Sequence, residues 1–159
     1  MVRKPAPSVI DGLRAVDTGV PDYALMCSHH REYVEALRAA GAEVTELAPL
    51  DAYPDACFVE DTAICLPEGS VLMRPGAPSR AGEVDAIAPV LHELTATVRR
   101  VEDGYIEGGD ILICDREILV GRSARTDADG IAALQRLVAD WGYPVREVET
   151  PADVLHFKT

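Results

Sequence analysis

From Ile106 to Glu149 the chain alternates short apolar runs with polar breaks in a regular order. "YIEGGDILIC" starts polar and turns apolar, Asp115-Arg116-Glu117 interrupts, and "ILVG" is apolar again. Two short apolar runs split by a tight polar turn predict a pair of strands. Thr126 or Asp127 can cap a following helix, in which Ile131, Leu134, Val138 and Trp141 recur at helical spacing and Gly142 closes the element. "PVREVE" then reads as a third strand, so residues 106–149 predict a β-β-α-β unit.

The same order appears over residues 58–102. "FVEDTAICL" is followed by a turn at Pro67–Gly69, "SVLMRPG", a helix over Glu83–Leu94, and "TVRRVE". Landmarks repeat with the pattern: Val98–Glu102 reads "VRRVE" and Val145–Glu149 reads "VREVE", Glu60 precedes Glu107 by the same 47 positions, and Arg80 precedes Arg125 by 45. Upstream, "DYALMC" reads as a second strand, His30–Ala40 as a helix ending at Gly41, and "AEVTELA" as a third strand. Downstream, "DVLHFKT" reads as the start of a further unit. Units that cannot bury their own faces must stack on neighbours. The expectation is therefore one α/β domain over residues 1–159, a propeller-like arrangement of ββαβ repeats that forms an open arc rather than a closed ring.

Composition narrows the partners. The chain has 159 residues, a formal net charge of −12 and a sequence pI near 4.6. That balance argues against nucleic acid and anionic membrane surfaces, both of which call for basic patches. "MVRKPAPSVIDGL" has no apolar core of a secretory signal, and no stretch approaches a membrane span. Cys27, Cys57, Cys65 and Cys114 form no C-x-x-C pair and share no ligand spacing with the histidines, so neither a metal nor another cofactor is expected. Each sits in an apolar run, which predicts core thiols in a reducing cytoplasm.

The polar residues inside the apolar runs carry the chemistry. "CFVED" places Glu60 and Asp61 side by side in an otherwise apolar stretch with Asp55 just upstream. Neighbours on a strand point to opposite faces, so one acid is expected to point into protein, where it needs a cation or hydrogen-bond donors. Singly, each polar residue has a structural reading. Asp61 can hydrogen-bond a turn, and Glu60 can pair with a structural arginine. Arg80 and Arg125 can cap or bridge, His156 can be a satisfied core histidine, and "EGGD" can be a tight hairpin. Their repeat-related placement favours convergence on one pocket, with carboxylates at one end and arginines at the other. Carboxylates suit a guanidinium and arginines suit a carboxylate, so the implied ligand is an arginine-like amino acid.

"PDYAL", "YPDACFVED", "RPGAPSRAGE", "IEGGDILI", "SARTDADG" and "VLHFKT", in this order over nearly the whole chain, resemble the dimethylarginine dimethylaminohydrolases. These belong to the guanidine-modifying pentein superfamily, together with arginine deiminases and amidinotransferases. The resemblance implies a ring of five ββαβ units around a polar channel, of which about three would be present here. It implies attack of a cysteine thiolate on the guanidinium carbon, loss of dimethylamine or methylamine, and hydrolysis of the thiouronium adduct to citrulline. It assigns Asp61, with Glu60 beside it, to the guanidinium, Asp55 to the ligand's amino-acid end and Arg80 and Arg125 to its carboxylate. Leu13 falls in a mobile lid, Glu107 orients the histidine, and His156 is the general acid/base.

The family's nucleophilic cysteine lies well beyond the histidine, and none of the four cysteines matches it. The chain is thus expected to be an N-terminal portion, inactive alone, that pairs with a C-terminal segment or self-associates. Arginine deiminase or amidinotransferase activity, and a catalytically inert guanidinium-binding or subunit fragment, are the alternatives.

Overall fold

A computed structural model describes residues 1–151 and 153–158. They cluster into two compact units, Met1–Val59 and Glu60–Thr159.

In the first unit, β1 (Val2–Arg3) pairs in parallel with β2 (Glu46–Leu47). Between them runs α1 (Tyr23–Ala39). The strand expected at "DYALMC" is instead the start of this helix. Asp22 is the reason: its side chain accepts a hydrogen bond from the Leu25 N–H at 2.9 Å and so satisfies one of the helix's unpaired amide donors. Tyr23, Cys27, His30 and Val34 then follow at helical spacing, and Val34 is buried.

The second unit contains both full repeats. β3 (Ala63–Leu66), β4 (Gly69–Leu72), α2 (Glu83–Leu94) and β5 (Val98–Arg100) make one. β6 (Ile111–Cys114), β7 (Glu117–Arg122), α3 (Ala128–Val138) and β8 (Val145–Glu149) make the other. In each, an antiparallel hairpin is extended by a parallel third strand after the helix, giving sheet orders β3-β4-β5 and β6-β7-β8. Short helices explain the parallel step, because a parallel partner requires a crossover. The tight turn at Asp115-Arg116 is made by Asp115 at φ 54, a conformation that aspartate tolerates better than most residues. Asp127 caps α3 by accepting from the Gly130 N–H at 2.8 Å.

One core runs through both repeats. Val71 and Met73 of the first pack in the same cluster as Ile111, Ile118, Val120 and Leu134 of the second, and all six are buried. An antiparallel bridge between Arg74 and Ile106 joins the repeats at the backbone. No helix among the described residues is long and apolar enough to cross a membrane.

Three further expectations change. "FVED" is not part of a strand: Val59–Thr62 forms a 3-10 turn, and β3 begins only at Ala63. The equivalent Gly108–Asp110 is also a 3-10 turn ahead of β6. No regular strand forms among the described residues 153–158, where Asp153, Phe157 and Lys158 lie in turns and Val154 makes a single backbone hydrogen bond to Pro151. The thiols are not core groups: Cys27 and Cys57 are partly buried, and Cys65 and Cys114 are exposed. In β3 the burial alternates, so Cys65 faces outward between buried Ile64 and Leu66, whereas in β6 all of Leu112, Ile113 and Cys114 are exposed.

Candidate active site

The two 3-10 turns carry the acids. Within Val59–Thr62, Asp61 is 5% exposed, whereas the Glu60 side chain reaches outward and pairs with the Lys158 ammonium. The adjacency argument therefore holds on a turn as it would on a strand: neighbouring acids take opposite sides. At the second turn, Asp110 and Glu107, the residue just before it, are both buried.

His156 stands between Asp61 and Glu107. Its Nε2 lies 3.2 Å from Glu107 Oε2 and 3.9 Å from Asp61 Oδ1. Gly109 makes this approach possible. A Cβ at Gly109 would lie 2.7 Å from Asp61 Oδ1 and from His156 Cγ and Nδ1, so any side chain there would displace the imidazole. The Gly109 N–H also donates to Asp61 Oδ1 at 3.1 Å. The hydrogen bond to Glu107 raises the His156 pKa; partial burial opposes it, and the charges of Asp61 and Asp110 add to it. A protonated imidazole is thus favoured between the two carboxylates.

Arg80 organises the other side of Asp61. Its Nη1 donates to Asp61 Oδ2 at 2.7 Å, and its Nε and Nη2 donate to Glu83 at 3.1 and 2.8 Å. Burial lowers the guanidinium pKa, but the hydrogen bonds it donates to Glu83 and Asp61 outweigh that and the net shift is upward. Arg125 is more accessible. Its Nε lies 3.6 Å from Glu107 Oε2, with 36% of its side chain exposed, and its Nη1 donates to the Leu155 carbonyl at 3.3 Å. Asp61, Glu107 and His156 offer three ligand-type atoms within 4.8 Å of one another. Both Asp61 oxygens already accept hydrogen bonds, Oδ2 from Arg80 and Oδ1 from Gly109, so the carboxylate is held in a fixed hydrogen-bonding arrangement.

In the Met1–Val59 unit, Asp55 is buried and both its oxygens face the Leu13 N–H, at 3.1 and 3.2 Å. Leu13 itself is 56% exposed. The backbone of Leu13 is thus held directly by the Asp55 carboxylate.

Imidazole between carboxylates, next to a buried arginine, serves several hydrolytic chemistries. Comparison with known proteins narrows them. The model of the eukaryotic N,N dimethylarginine dimethylhydrolase family matches residues 23–154. The chain belongs to this family. A dimethylarginine dimethylaminohydrolase from Pseudomonas aeruginosa is 35% identical over 161 residues, covering 100% of this chain and 63% of the relative. One from Streptomyces coelicolor is 36% identical over 162 residues, covering 100% and 62%. A solved structure of the Pseudomonas aeruginosa enzyme, a cysteine-to-serine mutant complexed with citrulline, matches with a TM-score of 0.95 at 36% identity. It covers 99% of this chain and 62% of that one. The chain therefore has the α/β fold of dimethylarginine dimethylaminohydrolases in the pentein superfamily, and it spans just under two thirds of the length of these relatives.

Of the dimethylarginine dimethylaminohydrolase positions expected from sequence, the Glu60–Thr159 unit brings together Asp61, Glu107 and His156, with Arg80 on Asp61 and Arg125 on Glu107. Glu60 is held apart on Lys158. Sequence reasoning missed Glu83, although an acid three residues after Arg80 in the first turn of a helix is a recognisable partner spacing. It also missed the part Asp110 plays, which depends on hydroxyls of Ser123 and Thr126 that no local pattern singles out.

Proposed function

We propose that this chain forms the substrate-binding and proton-transfer portion of an enzyme that hydrolyses Nω-methylated arginine to citrulline and methylamine or dimethylamine. The observation that carries the reading is the His156 imidazole held 3.2 Å from Glu107 and 3.9 Å from Asp61. Asp61 has the position and charge to receive a guanidinium, since each carboxylate oxygen accepts two hydrogen bonds. His156 supplies the proton to the departing amine and then takes one from the attacking water, with Glu107 fixing the ring. The exposed fork of Arg125 meets the ligand's carboxylate. Arg80 contributes by aiming Asp61, because its own fork is engaged by Asp61 and Glu83. The family resemblance assigns Asp55 to the ligand's amino-acid end, Leu13 to a covering segment and Glu60 to the neighbourhood of Asp61, although the Glu60 side chain is turned away to Lys158.

A cysteine thiolate attacks the guanidinium carbon and expels the amine, and water then releases citrulline from the thiouronium adduct. That thiolate comes from outside Cys27, Cys57, Cys65 and Cys114. Cys65 and Cys114 are exposed near the hairpin ends of β3 and β6, and Cys65 contacts the Ser70 hydroxyl rather than the imidazole. The 159-residue chain alone is accordingly inactive.

The test is citrulline release from Nω,Nω-dimethylarginine by the product of the complete gene, with arginine as the competing substrate. Turnover of dimethylarginine that collapses in Asp61→Asn supports the reading. Preferential release of ammonia from arginine would favour a deiminase instead, and turnover by the 159 residues alone would overturn the assignment of the nucleophile.

A further inference from the structure

We propose that Asp110 is the positioning residue that fixes the His156 imidazole against Glu107. Asp110 is fully buried, and its carboxylate joins three stretches of chain. Oδ1 accepts from the backbone N–H of Phe157, the residue after His156, at 3.0 Å. Oδ2 accepts from the Ser123 and Thr126 hydroxyls at 2.6 and 2.7 Å. The Thr126 hydroxyl oxygen in turn accepts from the backbone N–H of Glu107 at 3.3 Å. One carboxylate thus ties down both members of the imidazole–carboxylate pair, Phe157 directly and Glu107 through a single hydroxyl.

The stretch that bears His156 needs such a clamp. Its described residues 153–158 form no strand or helix and are held at points: Phe157 to Asp110, Lys158 N–H to the Gly109 carbonyl at 3.3 Å, and the Leu155 carbonyl to Arg125. Gly121 makes room for it, because a Cβ there would collide with Phe157 and the Thr150 hydroxyl. Asp110 also takes part electrostatically. His156 is faced by Glu107 and Asp110 from one turn and by Asp61 from the other. Arg125 stands behind Glu107, and Lys158 follows in the same stretch. The Glu107 hydrogen bond is the main cause of the raised imidazole pKa, so a ring released from Glu107 loses most of that effect.

This inference rests on the reading of His156 as the proton-transfer group, and its test separates the two. In the complete gene product, Asp110→Ala lowers kcat about 100-fold, as expected when a catalytic group is misplaced by about an ångström. KM stays within roughly threefold, because ligand contacts are retained. Asp110→Asn keeps the Oδ1 acceptor for Phe157 and recovers kcat to within about tenfold of the parent. In the 159-residue chain, NMR titration of the imidazoles shows the His156 midpoint falling in Asp110→Ala. If that variant does not fold, Thr126→Ala, which removes the shared hydroxyl, lowers the midpoint in the same direction. An unchanged midpoint in a folded variant overturns the proposal. So do a wild-type kcat in Asp110→Ala, or equal losses in both Asp110 variants that track the folded fraction. If the parent does not hydrolyse methylarginine, the titration still decides the role of Asp110.

Discussion

Arg80→Met removes a guanidinium from a buried site while keeping most of the stem that packs there. The side chains of Arg80, Asp61 and Glu83 are 7%, 7% and 2% exposed, so water screens none of them. Arg80 donates to Asp61 at 2.7 Å and to Glu83 at 3.1 and 2.8 Å. Three charge-assisted bonds at about 1.5–3 kcal/mol each set an upper bound near 5–9 kcal/mol. Breaking a buried pair from one side costs about 3–5 kcal/mol in practice, because the remaining charges relax toward water or take up protons. The expected loss is therefore about 4 kcal/mol, a large part of the roughly 5–15 kcal/mol that holds a domain folded. With a urea slope of about 2 kcal/mol/M, the unfolding midpoint falls by about 2 M. Glu83→Met alone leaves Arg80 on Asp61 and costs less. In a double-mutant cycle read by circular dichroism in urea, Arg80 and Glu83 should show a coupling of about 2–3 kcal/mol. A loss below about 1 kcal/mol in Arg80→Met, or a coupling near zero, would refute the reasoning. That result would remove stability as the reason for the buried Arg80 guanidinium and favour a role at the ligand's carboxylate.

The other expectations concern the imidazole and the exposed arginine. The His156 pKa is raised above the ordinary 6.5 by its bond to Glu107, so its contribution to stability is complete below about 6.5 and fades as pH rises through the raised value. The stability difference between the parent and His156→Gln should thus shrink from pH 6 to pH 9 in urea titrations, and growth with pH would contradict it. Glu107→Gln keeps the shape of the side chain but weakens its hold on the imidazole, and kcat should fall about 10- to 100-fold, the usual loss for an orienting partner. Arg125→Lys replaces a planar fork with a point charge, and KM for dimethylarginine should rise about tenfold while a methylguanidine lacking the carboxylate is turned over almost as before. Equal losses on both substrates would give Arg125 a structural role.

The repeats were legible because each was written in the same local code: two short apolar runs, a polar turn, a capped amphipathic helix and a β-rich run. The structure places α2 over Glu83–Leu94, as the pattern predicts, and closes both hairpins at the expected turns. The N-terminal stretch misled because "YALMC" is apolar enough for a strand, and only the Asp22 cap distinguishes the two outcomes. The site was partly legible. Asp61, Glu107 and His156 stand out as polar residues inside apolar runs, and the structure brings them within 4.8 Å. The 3-10 turns that aim them were not legible. They depend on contacts from chain distant in sequence, such as the packing of Gly109 on His156 and the Glu107 N–H on Thr126.

Two buried acids in neighbouring turns show why burial alone does not mark a binding residue. Asp110 accepts from one amide and two hydroxyls, all neutral donors fixed by the fold, and among the described residues no cation pairs with it. Its oxygens lie within a closed knot of chain, which suits a residue that positions others. Asp61 accepts from one amide and from Arg80, and its Oδ1 also looks onto His156 at 3.9 Å. Two oxygens with about four lone-pair sites retain capacity after those bonds. That capacity is directed to the imidazole side, where a guanidinium undergoing attack would lie. Neutralising each acid should therefore have different kinetic signatures. Asp61→Asn weakens ligand binding as well as turnover, because the charge that meets the guanidinium is gone. Asp110→Asn leaves KM nearly unchanged, because what it holds is the chain that carries His156. Measuring KM and kcat for the two variants side by side separates the roles, and a matched rise in KM for both would place Asp110 at the ligand instead.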